Sequence, residues 1–136
     1  MKIYRNYVSN LQVLEKASLE DLSNEFIKSG IRNKFFLQLD LSCKVLKELL
    51  QYEGKSIGST GSPRSIIKAA YSVWDFIDEE LWLEMLKARN DLSHMYNEAA
   101  ARDLVENILN KYIGEFQKLR ICLQEQYGEM LLEEEI

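Results

Sequence analysis

The sequence predicts an all-α fold, a four- to five-helix antiparallel up-and-down bundle. Apolar residues recur at spacings of three and four along almost the whole chain, which is the period of a helix. The 136 residues include one proline and six glycines, so few positions interrupt a helix. Because this length suits a single core, we expect one domain over residues 1–136, with an acidic tail from about residue 129 that frays.

Three helices are predicted in the first half of the chain. The first carries an apolar stripe of Tyr4, Tyr7, Val8, Leu11 and Leu14. Ser18 is then expected to cap a short helix that carries Leu22 and Phe26 and ends at Gly30. The third, which we expect to be the central core helix, ends at Gly54. Its wide apolar face consists of Phe35, Phe36, Leu39, Cys43, Leu46, Leu49 and Leu50.

The stretch "KSIGSTGSPRS" separates the two halves as a loop, in which Ser62 and Pro63 are signals for the start of the next helix. Its glycines and serines suggest a phosphate-binding loop, but the Walker spacing with its Gly-Lys-Ser/Thr ending is missing, which favours a plain linker. The following helix, in "DFIDEELWLEMLKARN", is expected to bury Leu81, Trp82, Met85 and Leu86 and to end around Asp91 to Ser93.

Asn97 is expected to cap the last and longest helix. Its buried stripe is predicted to contain Leu104, Ile108, Tyr112, Phe116, Leu119 and Leu123.

Charge and composition exclude several classes of protein. The net charge is -5 and the sequence pI is near 5.0, which works against general attraction to nucleic-acid backbones, so an RNA contact would need a local basic patch or a dimer groove. No apolar run is long enough to span a membrane and no signal segment is visible, so we expect a cytoplasmic protein. Cys43 and Cys122 lie in apolar helical patterns without metal-ligand spacing, which favours reduced core thiols over a zinc site.

The stretch "ARNDLSHMYNE" holds the only histidine of the chain, His94. On a continuous helix Arg89 and His94 would point about 140° apart. If the helix ends near Ser93, Arg89 lies on its last turn, and His94 and Tyr96 lie in the connection to the next helix. The three side chains can then meet in a groove, or meet their symmetry mates across a two-fold axis.

Arginine, histidine and tyrosine together suit metal-independent cleavage of RNA. His94 would transfer protons at the ribose hydroxyl or the leaving oxygen, and Arg89 would neutralise the phosphorane, so neither a metal nor a cofactor is required. A structural interpretation stands beside this one. It is favoured when the six-residue pattern R-N-x-x-x-H is considered without other evidence. In it His94 is a hydrogen-bonded or capping residue, Arg89 binds helix C-terminal carbonyls, and Tyr96 packs.

Four stretches, in this order, resemble the HEPN superfamily and, within it, the nucleotidyltransferase substrate-binding proteins encoded beside a minimal nucleotidyltransferase. They are "DLSCKVLKELLQYEG", "GSPRSIIKAAY", "DEELWLEMLKARNDLSHMYNE" and the closing helix, so the likeness covers the chain from about residue 30 onward. The third stretch is the specific one because it retains R-x-x-x-x-H-x-Y. The core helix departs from the family pattern, with Cys43 in place of tryptophan, Phe36 in place of glutamate and Gln38 in place of threonine.

The resemblance implies a homodimer whose motif residues line a cleft near the two-fold axis, and it implies two rival functions. In the first, which is slightly favoured, the protein is a ribonuclease toxin in which Arg89 anchors phosphate, His94 is the acid/base, and Asn90 and Ser93 support them; the partner transferase silences it by attaching AMP to Tyr96. In the second, the protein is a non-catalytic subunit that presents a nucleotide or another substrate to the transferase. A purely structural dimerisation module is the third possibility.

Overall fold

Helix α2 is the element around which the other helices pack. The computed structural model describes residues 1–55 and 61–133, and this part of the chain contains helices and no strand, which confirms the all-α prediction. The helices are α1 (Lys2–Glu15), α2 (Glu25–Tyr52), α3 (Pro63–Val73), α4 (Glu79–Asn90), α5 (Glu98–Asn107) and α6 (Ile113–Tyr127). A π-helical turn, Ile108–Tyr112, joins α5 to α6 in one continuous rod. Helix α2 contacts α1, α3, α4 and α5, and α6 contacts α1.

Helices α1 and α2 run antiparallel. Asn10 donates from Nδ2 to the carbonyl oxygen of Lys34 (3.0 Å) and to Oε1 of Gln38 (2.8 Å), and Gln38 donates to the carbonyl oxygen of Tyr7 (3.2 Å). Further along α1, Leu14 lies beside Ile31, which precedes Lys34 in α2. Residue numbers in α2 therefore fall as those in α1 rise, so the two helices run in opposite directions. The amide nitrogens of Asn10 and Gln38 are therefore paired across the helix interface, whereas Oδ1 of Asn10 is buried without a hydrogen-bond partner among the described residues.

The core contains most of the predicted apolar residues, but Leu81 is only half-buried, and Leu22 and Phe26 are exposed. Every member of the predicted stripe of the last helix is buried, and in α1 and α2 only Val8 and Phe36 among the predicted stripe residues are half-buried. Three aromatic rings meet at the centre: Phe35 lies 5.1 Å from Tyr112 and 6.1 Å from Phe116 between ring centroids. This contact ties α2 to the continuous rod of α5 and α6.

The start of α2 differs from the sequence prediction. Ser18 lies in a short 3-10 segment and caps no helix; Asn24 is the cap, with its Oδ1 accepting from the backbone N–H groups of Phe26 (2.8 Å) and Ile27 (3.3 Å). The predicted end at Gly30 is wrong, because α2 continues through it and is 28 residues long in total. Burial of Ile31 and Phe35 just beyond Gly30 favours helix strongly enough to offset the low helix propensity of one glycine.

The predicted signals in the second half of the chain are confirmed. Gly54, at a φ of 76°, follows α2, and Ser62 accepts from the backbone N–H of Ser65 at the start of α3. Helix α4 ends at Asn90, where the sequence predicted an end, and Asn97 caps α5. Residues 56–60 of the predicted linker lie outside the described residues.

The chain end packs against its beginning. Leu131 is fully buried in the 3-10 segment Gly128–Leu132, and the amino group of Met1 donates to its carbonyl oxygen (2.9 Å). Fraying from residue 129 is therefore wrong for residues 129–132. Within residues 1–55 and 61–133 no helix combines the length and the apolar character that a bilayer crossing needs.

Replacement of Gly30 by alanine tests the continuity of α2. A Cβ at Gly30 meets no atom within 4 Å, so Gly30→Ala should raise the free energy of unfolding by about 0.5–1 kcal/mol because alanine favours helix. The matched control is Gly54→Ala, which is equally uncrowded but has a positive φ and should destabilise by about 1 kcal/mol. Urea unfolding followed by circular dichroism measures both; a Gly30→Ala variant as destabilised as Gly54→Ala would contradict a continuous helix.

Candidate functional site

Two side-chain caps hold the connection between α4 and α5, which we call the motif turn (residues 91–97). Asp91 Oδ1 accepts from the backbone N–H of Ser93 (2.9 Å), and this hydrogen bond lowers the pKa of the Asp91 carboxyl. Asn97 Oδ1 accepts from the backbone N–H of Ala100 (3.1 Å). The carbonyl oxygen of Ser93 accepts from the N–H groups of Tyr96 (3.0 Å) and Asn97 (2.8 Å). These bonds end α4, restart the chain as α5 and define the backbone that carries His94.

His94 lies against the first half of α2. Its ring centroid is 5.2 Å from that of Phe36, with 44° between the planes, and the side chain is half-buried. The resemblance implied a glutamate at the position of Phe36. The aromatic side chain at this position therefore gives the imidazole an apolar neighbour where a glutamate would have supplied a carboxylate.

Arg89 contacts the next turn of the same helix. Its Nη2 lies 2.7 Å from Oδ1 of Asp40, and the two side chains are 31% and 40% exposed. Behind them burial raises the pKa of the Cys43 thiol to about 12, with the charge of Asp40 adding to the shift and that of Arg89 opposing it. The guanidinium of Arg89 is thus already neutralised by a carboxylate within its own chain.

A cavity of about 800 Å³ opens between the start of α2, the motif turn and the start of α5. His94 and Tyr96 both line it, whereas Arg89, Asn90 and Ser93 do not. Ser93 and His94 line a separate cavity of about 220 Å³ together with Asp91 and Asp103. One interpretation of the sequence placed Arg89, His94 and Tyr96 in a single groove. Within this chain, His94 and Tyr96 line the larger cavity, whereas Arg89 lies outside it and pairs with Asp40.

The remaining motif residues lie at the surface. Asn90 is the last residue of α4 and is exposed, and the side chain of Tyr96 is 83% exposed at the edge of the larger cavity. Exposure leaves the Tyr96 hydroxyl accessible to a partner. In the described ranges no group of three or more histidine, cysteine, aspartate or glutamate side chains is arranged to hold a metal ion.

Three cations that line the larger cavity were not predicted from the sequence as site residues: Lys28, Arg32 and Arg102. Lys28 and Arg32 form ion pairs of 3.3 and 3.2 Å with Glu25, which lower the pKa of that carboxyl, Arg32 contributing most. The signal was present, because Lys28 and Arg32 are four residues apart and share one face of a helix. The mistaken break at Gly30 divided that face between two predicted helices.

The balance of charge in the cavity differs from that of the whole chain. Lys28, Arg32 and Arg102 face two carboxylates, those of Glu25 and Glu98, so the lining carries a net charge of +1. The chain as a whole carries -5. The cavity is therefore a local site at which an anion is favoured, and RNA contact was expected to require a local basic patch.

Comparison with known proteins agrees with this architecture. A family model described as nucleotidyltransferase substrate binding protein like matches residues 2–125, from the start of α1 to near the end of α6. The match contains the whole motif turn and extends the likeness to α1, which the motif resemblance did not reach. The comparison with curated proteins finds no match. The all-helical architecture and a match over most of the chain lead to one conclusion: the chain belongs to the nucleotidyltransferase substrate binding protein like family.

Proposed function

We propose that this protein is the substrate-binding partner of a minimal nucleotidyltransferase and that its ligand occupies the larger cavity beside His94. The proposal rests on one observation, that the motif residues lie in two different places. His94 and Tyr96 line a cavity of about 800 Å³, a size typical of small-molecule sites, while Arg89 is held at 2.7 Å by Asp40 outside that lining. The cavity can bind and orient a ligand without the arginine that phosphoryl cleavage would use.

The motif turn also offers a surface for the transferase. Leu92, Met95 and Tyr96 are 60%, 62% and 83% exposed within five consecutive residues. Met95 and Tyr96 line the cavity as well, so a protein docked on these side chains would meet the bound ligand. Exposed apolar side chains that rim a polar cavity are typical of an interaction site. A transferase bound here would cover apolar surface and receive the substrate in one step.

Substitutions in the motif turn test this contact. Leu92→Ser combined with Met95→Ser should weaken the complex with the co-encoded nucleotidyltransferase at least tenfold, a loss of about 1.4 kcal/mol, because both side chains lose their buried contact. Ile121→Ser is the control, since Ile121 is 56% exposed on α6 and does not line the cavity. Isothermal titration calorimetry with the purified partner measures both affinities.

The same experiment separates the transferase from a second copy of the chain as the occupant of the motif turn. The resemblance implies a homodimer, whose mass light scattering measures for the isolated protein. If the double substitution leaves the complex intact and converts a dimer into a monomer, the motif turn is a homodimer contact and its assignment to the transferase is wrong. Equal weakening by Ile121→Ser would contradict the assignment as well.

A metal-independent ribonuclease toxin is the second candidate function. Two observations favour it: His94 borders both cavities, so its imidazole is reachable from two sides, and Tyr96 is exposed enough to accept a nucleotidyl group. The ribonuclease function requires that Arg89 leave Asp40 and bind a phosphate of the RNA. A half-exposed ion pair of this kind contributes only about 0–1 kcal/mol, so an incoming phosphate can replace Asp40.

Cleavage of total cellular RNA in the presence of a chelator tests the ribonuclease. If the protein is this enzyme, His94→Ala should reduce cleavage by about 10²-fold or more because proton transfer is lost. Asp40→Asn should increase cleavage, because it frees the guanidinium of Arg89 for the phosphate. Equal cleavage by wild type and His94→Ala would indicate a contaminating nuclease, and absence of cleavage by the folded wild type and Asp40→Asn proteins would reject this function.

Modification of Tyr96 is measured separately, by intact mass after coexpression with the transferase. The wild-type protein should gain one nucleotidyl group, and Tyr96→Phe should gain none, because the acceptor hydroxyl is missing. Tyr71→Phe is the matched control, since Tyr71 is 54% exposed on α3, away from the cavity. An adduct that persists in Tyr96→Phe, or its absence from wild type, would contradict Tyr96 as the acceptor.

A further inference from the structure

We propose that Lys28, Arg32 and Arg102 form the phosphate subsite of a free nucleoside phosphate whose base lies against the ring of Tyr96. The inference rests on the proposed function, in that it takes the larger cavity as the ligand site, and it names the class of ligand. None of the three cations belongs to R-x-x-x-x-H-x-Y. They come from the first half of α2 and from α5, on either side of the motif turn.

The α2 side of this subsite is arranged before any ligand arrives. The side chain of Arg32 is 11% exposed and that of Lys28 is 26% exposed, and both are oriented by the carboxylate of Glu25. A guanidinium held in this way loses little conformational freedom when it binds a phosphate through two parallel hydrogen bonds. Glu25 is itself 71% exposed, so its ion pairs are weak and a phosphate can replace it or share its partners.

The α5 side supplies a cation that forms no ion pair. Arg102 is exposed, and in the part of the chain that the structure describes no acidic side chain lies within ion-pair distance of it. It lies on a ten-residue helix whose first residue, Glu98, also borders the cavity and places a carboxylate at that helix end. A phosphate bound by Arg32 and Arg102 would therefore neutralise positive charge on both α2 and α5.

The aromatic residues of the same lining are suited to a base. Tyr96 presents an 83% exposed ring, and the Phe36 and His94 rings lie together on the same lining. Planar bases stack on such rings, and a stacking contact adds affinity to a phosphate contact. The lining of one cavity thus combines cations with aromatic rings, which is the chemistry that recognises a nucleoside phosphate.

The size and charge of the site favour a mononucleotide over an RNA strand. A cavity of about 800 Å³ holds a single nucleotide, and its lining has a net charge of +1 in a chain of net charge -5. Sequence-independent RNA binding needs several successive phosphate contacts along a basic surface. Three cations on the lining of one cavity do not form such a series of phosphate contacts.

Calorimetric titration with AMP, adenosine and inorganic phosphate tests the inference at low salt. AMP should bind, adenosine should bind at least tenfold more weakly, and Arg102→Gln should weaken AMP about five- to tenfold because it removes a phosphate contact. Arg32→Gln should do the same. Arg64→Gln is the control, since Arg64 is exposed on α3, away from the cavity, and carries the same charge. Tyr96→Ala should weaken AMP while leaving the affinity for inorganic phosphate unchanged.

Three results would overturn the assignment: no AMP binding, AMP binding unchanged in Arg102→Gln, or equal weakening in Arg64→Gln. A short single-stranded RNA that binds far more tightly than AMP and loses affinity in the same variants would also overturn it in favour of a polymer site. Arg102 is a surface residue, so this variant remains informative if Arg32→Gln fails to fold. Absence of AMP binding in a protein that still binds the transferase rejects the inference alone; loss of the transferase complex rejects the proposed function.

Discussion

The continuity of helix α2 through Gly30 is the constraint on which the rest of the site depends. Twenty-eight residues of helix extend about 42 Å, and the part before and just beyond Gly30 is what reaches the motif turn. Asn24 caps this helix, and burial of Ile31 and Phe35 holds it against α1 and α6. If α2 began after Gly30, Lys28 would lie outside the helix and the cavity would lose part of its cationic wall.

Helix α2 also keeps Arg89 and His94 apart. Phe36 contacts His94, and Asp40, one helical turn further, binds Arg89. Because both partners are fixed on one rigid helix, Arg89 and His94 are held at different levels of the bundle. The acidic chain thus contains a cavity with a net positive lining, while its motif arginine is paired with a carboxylate. This distribution of charge supports the proposed binding role, and the proposed RNA cleavage would require the release of Arg89 from Asp40.

Sequence patterns predicted the elements whose signals are local. Ser62, Asn97 and the end of α4 were correctly identified, because a cap or a helix stop depends on a few neighbouring residues. Gly30 was misread because its local preference against helix is offset by burial, which depends on residues distant in sequence. The assembly of Lys28, Arg32 and Arg102 could not be predicted for the same reason: α5 lies some 70 residues after the start of α2, and only the packed bundle brings them together. Arg89 and His94 were expected to meet once the helix ended between them; α4 does end at Asn90, but within this chain Arg89 pairs with Asp40, a residue distant in sequence.

In the proposed arrangement, the first half of α2 and the motif turn form one ligand site. The most direct test is to record backbone amide chemical shifts of the ¹⁵N-labelled protein during titration with AMP. If the two segments form one site, the shift changes will cluster in residues 28–36 and residues 94–102 and leave α3 unaffected. Changes confined to the surroundings of Asp40 and Arg89, or spread over α3 and α6, would contradict it.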